Sequence, residues 1–280
     1  MDKDTFIRQY ESDGYVILRQ FFPPNLVHGM EQAVDRIVDT LAEPLPERHE
    51  DEPFETRFIK MYENAPENAP VQFTSELHRD AFYDLMFYPP LIDLAETILG
   101  DEIRLAPGYF IRPKAFPDDR FRSLWHQDAA YLYLGNQGYP WEAFDQIRTM
   151  NVWTPLVSVN RENGCMQFLP GTHTNGMALH KPNPPHHYLE IDPVLLEPIL
   201  QKIQPVEIML DPGDVVLFNT LMFHRGQDNY SGRVRWSVDF RYQDARQPTL
   251  IDLKGHLLRS RAFPEKTVQS HEHWRSLTIA

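Results

Sequence analysis

The chain has 280 residues and a formal charge of −13, from 27 lysines and arginines against 40 aspartates and glutamates. This acidic excess disfavours nucleic acid or an anionic membrane as a partner, because both bind basic surfaces. Hydrophobic residues make up 42% of the sequence, which excludes a mainly disordered chain. The single cysteine excludes an internal disulfide. With no transmembrane-length apolar run and no signal-type start, we expect no membrane contact and a cytoplasmic location.

The first hundred residues are predicted to be mostly helical. Apolar residues four apart after a proline pair predict a helix over 25–41. Other helices are expected at 5–13, 76–86 and 90–99, with a short apolar strand at 15–18. The stretch 42–55 is interpreted as a loop and 57–62 as a strand.

From residue 103 onward, short β-rich runs alternate with turn residues, which is typical of an all-β sandwich or barrel. Strands are expected at 103–106, 109–112, 150–156, 165–169, 207–210, 215–218 and 235–242. We predict one domain over 1–280, mainly β with N-terminal helices. Residues 1–100 would form a helical support, 101–245 a β core with an insert at 170–205 (including a helix over 194–203), and 246–280 a C-terminal extension.

Two segments carry candidate metal ligands. His126 and Asp128 flank Gln127, and in an extended strand alternate residues face the same side. A single His-x-Asp is weak evidence in a chain with 12 histidines. His224 lies far downstream, after a turn and an apolar strand. Together with His126 and Asp128 it gives two histidines and one carboxylate, which is the pattern of a facial triad. Those ligand types suit Fe(II), although Mn, Co or Zn could also bind.

Arg235 follows His224 by eleven residues and lies on a predicted strand. An arginine inside a β core needs an anionic partner. A bidentate guanidinium suits the distal carboxylate of 2-oxoglutarate, and a structural salt bridge to Asp239 or Asp214 is the alternative. His173 is interpreted as bonding backbone, and Cys165 as a buried strand residue.

Together these motifs resemble the phytanoyl-CoA dioxygenase family. The resemblance rests on HQD, on ENGCM with LPGTH, on PGD followed by His224, and on Arg235. DGYVILRQFF and ETILG near the N-terminus add to it, so the likeness covers most of the chain to about residue 242. It implies a double-stranded β-helix, a cupin-like jelly-roll core.

The resemblance also implies roles for single residues. His126, Asp128 and His224 match the family's iron ligands, and Arg235 matches the arginine that holds the C5 carboxylate of 2-oxoglutarate. Three further matches are to co-substrate pocket residues, and they are Trp153, Tyr109 and Lys60. A mammalian member of the family that this chain resembles has a serine two residues after its second histidine ligand. The corresponding position here, two residues after His224, is Gly226.

We therefore expect an Fe(II)- and 2-oxoglutarate-dependent dioxygenase that uses O₂ to hydroxylate or desaturate a small molecule. A non-catalytic jelly-roll binding protein is one alternative, and a cupin-like metalloenzyme that does not use 2-oxoglutarate is the other. The expected partner is a small-molecule substrate, and the chain is expected to act as a monomer or homodimer. The proline-rich segment 180–188 is interpreted as a stiffened lid, a second metal site there being the weaker alternative.

Overall fold

A computed structural model describes residues 2–45, 47–74, 77–117, 123–135, 140–182, 189–250 and 254–277. Most of the predicted segment 180–188 therefore lies outside the described residues, and so do His186 and His187. The N-terminal part is helical, as expected. Its helices are α1 (Lys3–Asp13), α2 (Pro24–Ala42), α3 (Phe54–Tyr62), α4 (Asp80–Met86) and α5 (Pro89–Leu99).

The predicted strand over 57–62 is wrong, because this segment belongs to α3. Phe54, Phe58 and Tyr62 are spaced four apart, so a helix places all three rings on one face. Phe54 and Phe58 pack on Trp236 with ring centroids 5.6 Å and 5.4 Å away. That burial stabilises a helix over this segment.

The larger sheet has seven strands, and its described ladders are all antiparallel. They run in the order β1, β10, β5, β12, β2, β13, and β3 also pairs with β12. The strands are β1 (Tyr15–Leu18), β2 (Glu102–Leu105), β3 (Phe110–Lys114), β5 (Thr149–Pro155), β10 (Val215–Asn219), β12 (Arg235–Asp244) and β13 (His256–Ser260).

A second antiparallel sheet faces the first. It contains β4 (Ser123–His126), β6 (Met166–Phe168), β9 (Val206–Ile208) and β11 (His224–Gly226), in the order β4, β11, β6, β9. A further pair joins β7 (His180–Pro182) to β8 (Leu189–Ile191). The remaining described α-helices are α6 (Asp128–Gly135), α7 (Trp141–Asp145), α8 (Pro193–Leu200) and α9 (His271–Ser276).

The two faces of β12 have different chemistry. Trp236, Val238, Phe240 and Tyr242 are fully buried and pack in the core shared with the N-terminal helices. Because side chains alternate along a strand, Arg235 and every second residue after it face the space between the two sheets. This polar inner face positions the candidate site.

The helix content and the C-terminal segment differ from what the sequence predicted. Helix accounts for 37% and strand for 24% of the structure, so the chain is mixed α/β rather than mainly β. The segment after residue 245 supplies β13, which pairs with β2 and so extends the larger sheet. Within the described part of the chain, no helix is both long and apolar enough to cross a bilayer.

Candidate metal centre and co-substrate pocket

Strand pairing brings the three predicted metal ligands together. His126 ends β4 and His224 begins β11, and the two residues are direct cross-strand partners. Asp128 is the first residue of α6, so the chain leaves the strand between the two ligands of the motif. The Oδ1 atom of Asp128 lies 3.4 Å from Nε2 of His126 and 3.6 Å from Nε2 of His224. The donor atoms all lie within 4.8 Å of one another.

Backbone carbonyls orient both imidazole rings. Nδ1 of His126 donates to the carbonyl of Leu124 at 2.6 Å, and Nδ1 of His224 donates to that of Met222 at 2.9 Å. Each ring therefore presents the lone pair of Nε2 to Asp128, which is how metal-bound histidines are usually held. Burial and then the neighbouring His126 lower the pKa of His224 to about 3, so its ring is neutral and able to bind a metal near neutral pH.

Arg241 holds the other carboxylate oxygen of Asp128. Its Nη2 and Nε atoms donate to Oδ2 of Asp128 at 2.6 Å and 3.2 Å. Burial alone would raise the pKa of Asp128, but the Arg241 guanidinium and the two rings hold it well below its usual value. The carboxylate is thus ionised, with Oδ1 left facing the two histidines.

The ion pairs continue away from the triad. Nη1 of Arg241 lies 3.4 Å from Oδ2 of Asp239, and that carboxylate is also bound by Arg112. Nη1 of Arg112 in turn donates to Gln72 at 3.1 Å. Alternating charges compensate one another in this partly buried row, as burial of ions requires.

Arg235 lies deep in the same interior. Its residue is 6% exposed, its Nη1 donates to the carbonyl of Gly164 at 2.8 Å, and its guanidinium lies 5.4 Å from the centre of the Trp153 ring. Nε has no hydrogen-bond partner. The alternative salt bridges are not formed, because Asp214 binds Arg19 and Asp239 binds Arg112 and Arg241. Among the described residues, no carboxylate forms an ion pair with Arg235.

Comparison with known proteins decides the family. The family model described as "Phytanoyl-CoA dioxygenase (PhyH)" matches residues 10–237. The chain belongs to the phytanoyl-CoA dioxygenase family. A 1-deoxypentalenic acid 11-beta-hydroxylase from Streptomyces arenae is 28% identical over 262 residues, covering 87% of this chain and 82% of that protein. The phytanoyl-CoA dioxygenase domain-containing protein 1 of Mus musculus is 22% identical over 276 residues, covering 85% and 89%.

Solved structures show the same fold. EctD from S. alaskensis, crystallised with 2-oxoglutarate and 5-hydroxyectoine, superposes with a TM-score of 0.66 at 18% identity, covering 94% of this chain and 83% of that one. A crystal structure of EctD with bound Fe gives a TM-score of 0.67, covering 93% and 87%. The sheet pair that surrounds the triad therefore has the same fold as these solved structures.

Two pocket residues expected from the phytanoyl-CoA dioxygenase resemblance lie elsewhere. Tyr109 precedes β3 and belongs to the helix-side core, where its hydroxyl bonds His78 at 2.5 Å. Its neighbour Phe110 points to the opposite face of the strand and lies beside Arg112. The centre of the Phe110 ring is 4.6 Å from Cζ of the Arg112 guanidinium. Lys60 lies on α3 with 42% of its side chain exposed and pairs with Glu63.

Unpartnered polar atoms lie on the inner faces of β5 and β12. Both amide atoms of Asn151 and the hydroxyl of Ser237 are buried without a hydrogen-bond partner. Asn151 is the cross-strand partner of Arg241, and Ser237 follows Arg235 on the same face of β12. Because buried polar groups normally find partners, these atoms indicate a polar ligand. Sequence reasoning missed Arg241, Asn151 and Ser237, and the alternation along β12 and β5 was the available signal.

The other histidines near the motifs have structural contacts. His173 bonds the carbonyl of Glu11 through Nε2 at 3.1 Å, which confirms its interpretation as a backbone contact. His180 accepts from the backbone N–H of Gln127 at 3.0 Å and donates to the carbonyl of Ala178. Cys165 is buried, as expected. In the part of the chain that the structure describes, the triad is the one group of three or more such side chains arranged to hold a metal.

Proposed function

We propose that this protein is an Fe(II)- and 2-oxoglutarate-dependent dioxygenase that hydroxylates a C–H bond of a small molecule. The observation that carries the proposal is Arg235, a buried cation without a carboxylate partner among the described residues, in the same interior as the metal triad. A dicarboxylic acid anchored on the metal at one end supplies that missing anion at the other. The EctD structures with bound Fe and with 2-oxoglutarate support this.

The donor set of the triad fits iron. Two neutral imidazoles and one carboxylate on one side of a cation are the ligands of non-haem Fe(II) oxygenases, and they leave open positions for a chelating acid and O₂. Bound Fe(II) supplies the activation of O₂, so that 2-oxoglutarate, O₂ and R–H give succinate, CO₂ and R–OH. The Asp128 carboxylate fills the ligand position that a halogenating enzyme leaves open for a halide. Hydroxylation is therefore favoured over halogenation.

The chain's own residues bind the co-substrate, orient the metal ligands and exclude water. Arg235 binds the C5 carboxylate, and Trp153, 4% exposed, forms a wall beside it. Arg241 fixes the orientation of the Asp128 carboxylate through two donors. Tyr131 packs edge-on to His126 at 5.4 Å and so borders the centre where a substrate must approach.

Succinate formation tests the proposal. The purified chain, loaded with Fe(II) without oxygen and then given 2-oxoglutarate and O₂, should form succinate even without substrate, and omission of any one component should stop it. Asp128→Ala should reduce the rate to background, because the metal loses a ligand. Asp93→Ala, on the exposed face of α5, is the matched control and should leave the rate unchanged. Failure of the wild type both to form succinate and to bind 2-oxoglutarate would refute the proposal.

A further inference from the structure

A phenol ring borders the metal triad. Tyr131 lies on α6, three residues after Asp128, and residues three apart on a helix are neighbours on its surface. The tyrosine ring packs edge-on against the imidazole of His126, with ring centroids 5.4 Å apart and an angle of 85° between the two planes. Tyr131 is therefore adjacent to two of the three metal ligands.

The far end of the Tyr131 side chain is also held. Its hydroxyl accepts a hydrogen bond of 3.3 Å from the backbone N–H of Leu189, the first residue of β8. The side chain thus joins the helix that begins at a metal ligand to the β7–β8 pair. Because both ends of the side chain are attached to regular structure, the position of the ring relative to the triad is defined.

The rings beside the other histidine ligand have different surroundings. Phe168 and Phe218 lie 5.8 Å and 5.1 Å from the His224 ring, but both belong to an apolar cluster and are 0% and 4% exposed. Tyr131 is 36% exposed, so its ring borders space that a small molecule can enter. Its hydroxyl also makes the neighbouring ring carbons more electron-rich than those of a phenylalanine. Of these three rings, Tyr131 is the one best placed to be oxidised.

We propose that the metal centre hydroxylates Tyr131 of its own chain when no substrate is bound. The inference rests on the proposed function and adds a modification site to it. A ring carbon next to the phenol hydroxyl exchanges its C–H bond for C–OH, which gives a catechol. A bound substrate covers this ring and is oxidised in its place, in the way that a filled active site suppresses side reactions.

The atoms of this reaction balance with 2-oxoglutarate and O₂ as the co-reactants. One oxygen atom of O₂ enters the ring of Tyr131 and the other enters succinate, while C1 of 2-oxoglutarate leaves as CO₂. The ring carbon and 2-oxoglutarate are oxidised, and O₂ is reduced. The hydrogen that leaves the ring carbon is balanced by the hydrogen of the new hydroxyl.

Mass spectrometry after reaction without substrate tests the inference. Fe(II)-loaded protein receives 2-oxoglutarate and O₂ in the presence of catalase and is then digested. The peptide that carries Tyr131 should gain one oxygen atom on the tyrosine ring, and isotopically labelled O₂ should label that atom. Omission of 2-oxoglutarate should reduce the gain to background, and so should His224→Ala.

Tyr230 is the internal control for oxidants that diffuse through solution. At 72% exposure it is more accessible than Tyr131, so a diffusing oxidant would modify it at least as fast. It should stay unmodified. Tyr230→Leu should accordingly leave both succinate formation and the modification of Tyr131 unchanged.

Two measurements are independent of turnover. Mn(II) is paramagnetic, so Mn(II) bound at the triad should broaden the ring signals of Tyr131 in NMR spectra and leave those of Tyr230 sharp. Tyr131→Leu should form no catechol at this position, yet it should still bind 2-oxoglutarate by calorimetry on Mn(II)-loaded protein, which shows that the site is folded.

The outcomes separate the inference from the proposed function. If wild type forms succinate but Tyr131 stays unmodified, or if Tyr131 and Tyr230 are modified equally, the inference is wrong while the proposed function stands. Equal broadening of the two tyrosines by Mn(II) would also contradict the inference. If wild type neither forms succinate nor binds 2-oxoglutarate, the proposed function itself fails.

Discussion

The two carboxylate oxygens of Asp128 have different partners. Oδ1 faces the two imidazoles, whereas Oδ2 accepts two hydrogen bonds from Arg241. This division favours monodentate binding of a metal through Oδ1, since Oδ2 is already engaged. Arg241 is therefore a positioning residue for the metal centre.

Replacing Arg241 should weaken metal binding. Arg241→Met releases Oδ2 and lets the carboxylate rotate, so we expect Mn(II) affinity to fall by about 10- to 100-fold, as for other groups that orient metal ligands. Titration of the metal-free protein measures it. Arg241→Lys restores one donor and should give an intermediate loss, and Arg161→Met, which removes an exposed arginine, should have no effect. Equal affinity in all four proteins would contradict the role of Arg241.

Single residues show what the sequence could and could not predict. The ligand types and their order were sufficient to predict the triad, which the structure brings together. The role of Arg235 stays a prediction, and the structure shows that its side chain is buried. Tyr109 was predicted to line the co-substrate pocket from the family resemblance alone, whereas the structure places its side chain in the helix-side core. In a strand, neighbouring residues point to opposite faces, so a resemblance that is uncertain by one residue does not fix the face. Arg241 was missed because its partner Asp128 is 113 positions away along the chain. The alternation along β12 places the arginine on the inner face but does not indicate that pair.

At the scale of elements, the turn before β6 fixes Arg235. Gly164 has φ +81, and its carbonyl accepts from the Arg235 guanidinium. The turn also packs against the backbone of Gln227 and Asp228. An Asn-Gly pair such as the one at 163–164 favours a turn, but the contact with the segment after β11 depends on how the two sheets pack together.

Gly164→Ala should therefore cost more than backbone strain alone. The added Cβ meets backbone that cannot move aside, so we expect the free energy of unfolding to fall by about 3 kcal/mol or more. Urea denaturation measures this. Gly232→Ala is the matched control, because Gly232 also has positive φ but nothing within 4 Å of an added Cβ, and it should cost only about 1 kcal/mol. Equal losses of unfolding free energy in the two variants would show that the close packing around Gly164 does not contribute to stability.

The bounds of an element were predictable where the spacing of its apolar residues and the residues at its ends indicate the same limits. Helix α2 and strand β1 fall within a residue of their predicted bounds. For the strands β4 and β11, which carry the two histidines, an extended backbone was expected but no bounds were predicted. They are three or four residues long and exist because each pairs with the other across the site, a long-range contact without a local signal.

The whole molecule holds uncharged histidines outside the metal centre. Burial lowers the pKa of His180 and of His256 to about 4, and for His256 the nearby His78 adds to the effect. In the unfolded chain both titrate near pH 6.5. Between about pH 6.5 and about pH 4 the unfolded chain therefore binds more protons than the folded chain.

Stability should consequently fall as the pH is lowered through that window. Each of the two histidines contributes up to about 1.4 kcal/mol per pH unit to the loss. Urea denaturation of metal-free protein at pH 7.5, 6.5 and 5.5 measures the slope. His256→Gln should make it shallower by about one proton, and an unchanged slope in this variant would contradict the assignment.

His126, Asp128 and His224 are proposed to hold Fe(II) to which 2-oxoglutarate binds. A 2-oxo acid chelated to Fe(II) absorbs visible light by charge transfer, so the binding can be followed by anaerobic titration of 2-oxoglutarate into the Fe(II)-loaded protein. We predict an absorption band that saturates at one 2-oxoglutarate per chain and is absent from His224→Ala. No band in the wild type, or the same band in His224→Ala, would contradict the claim.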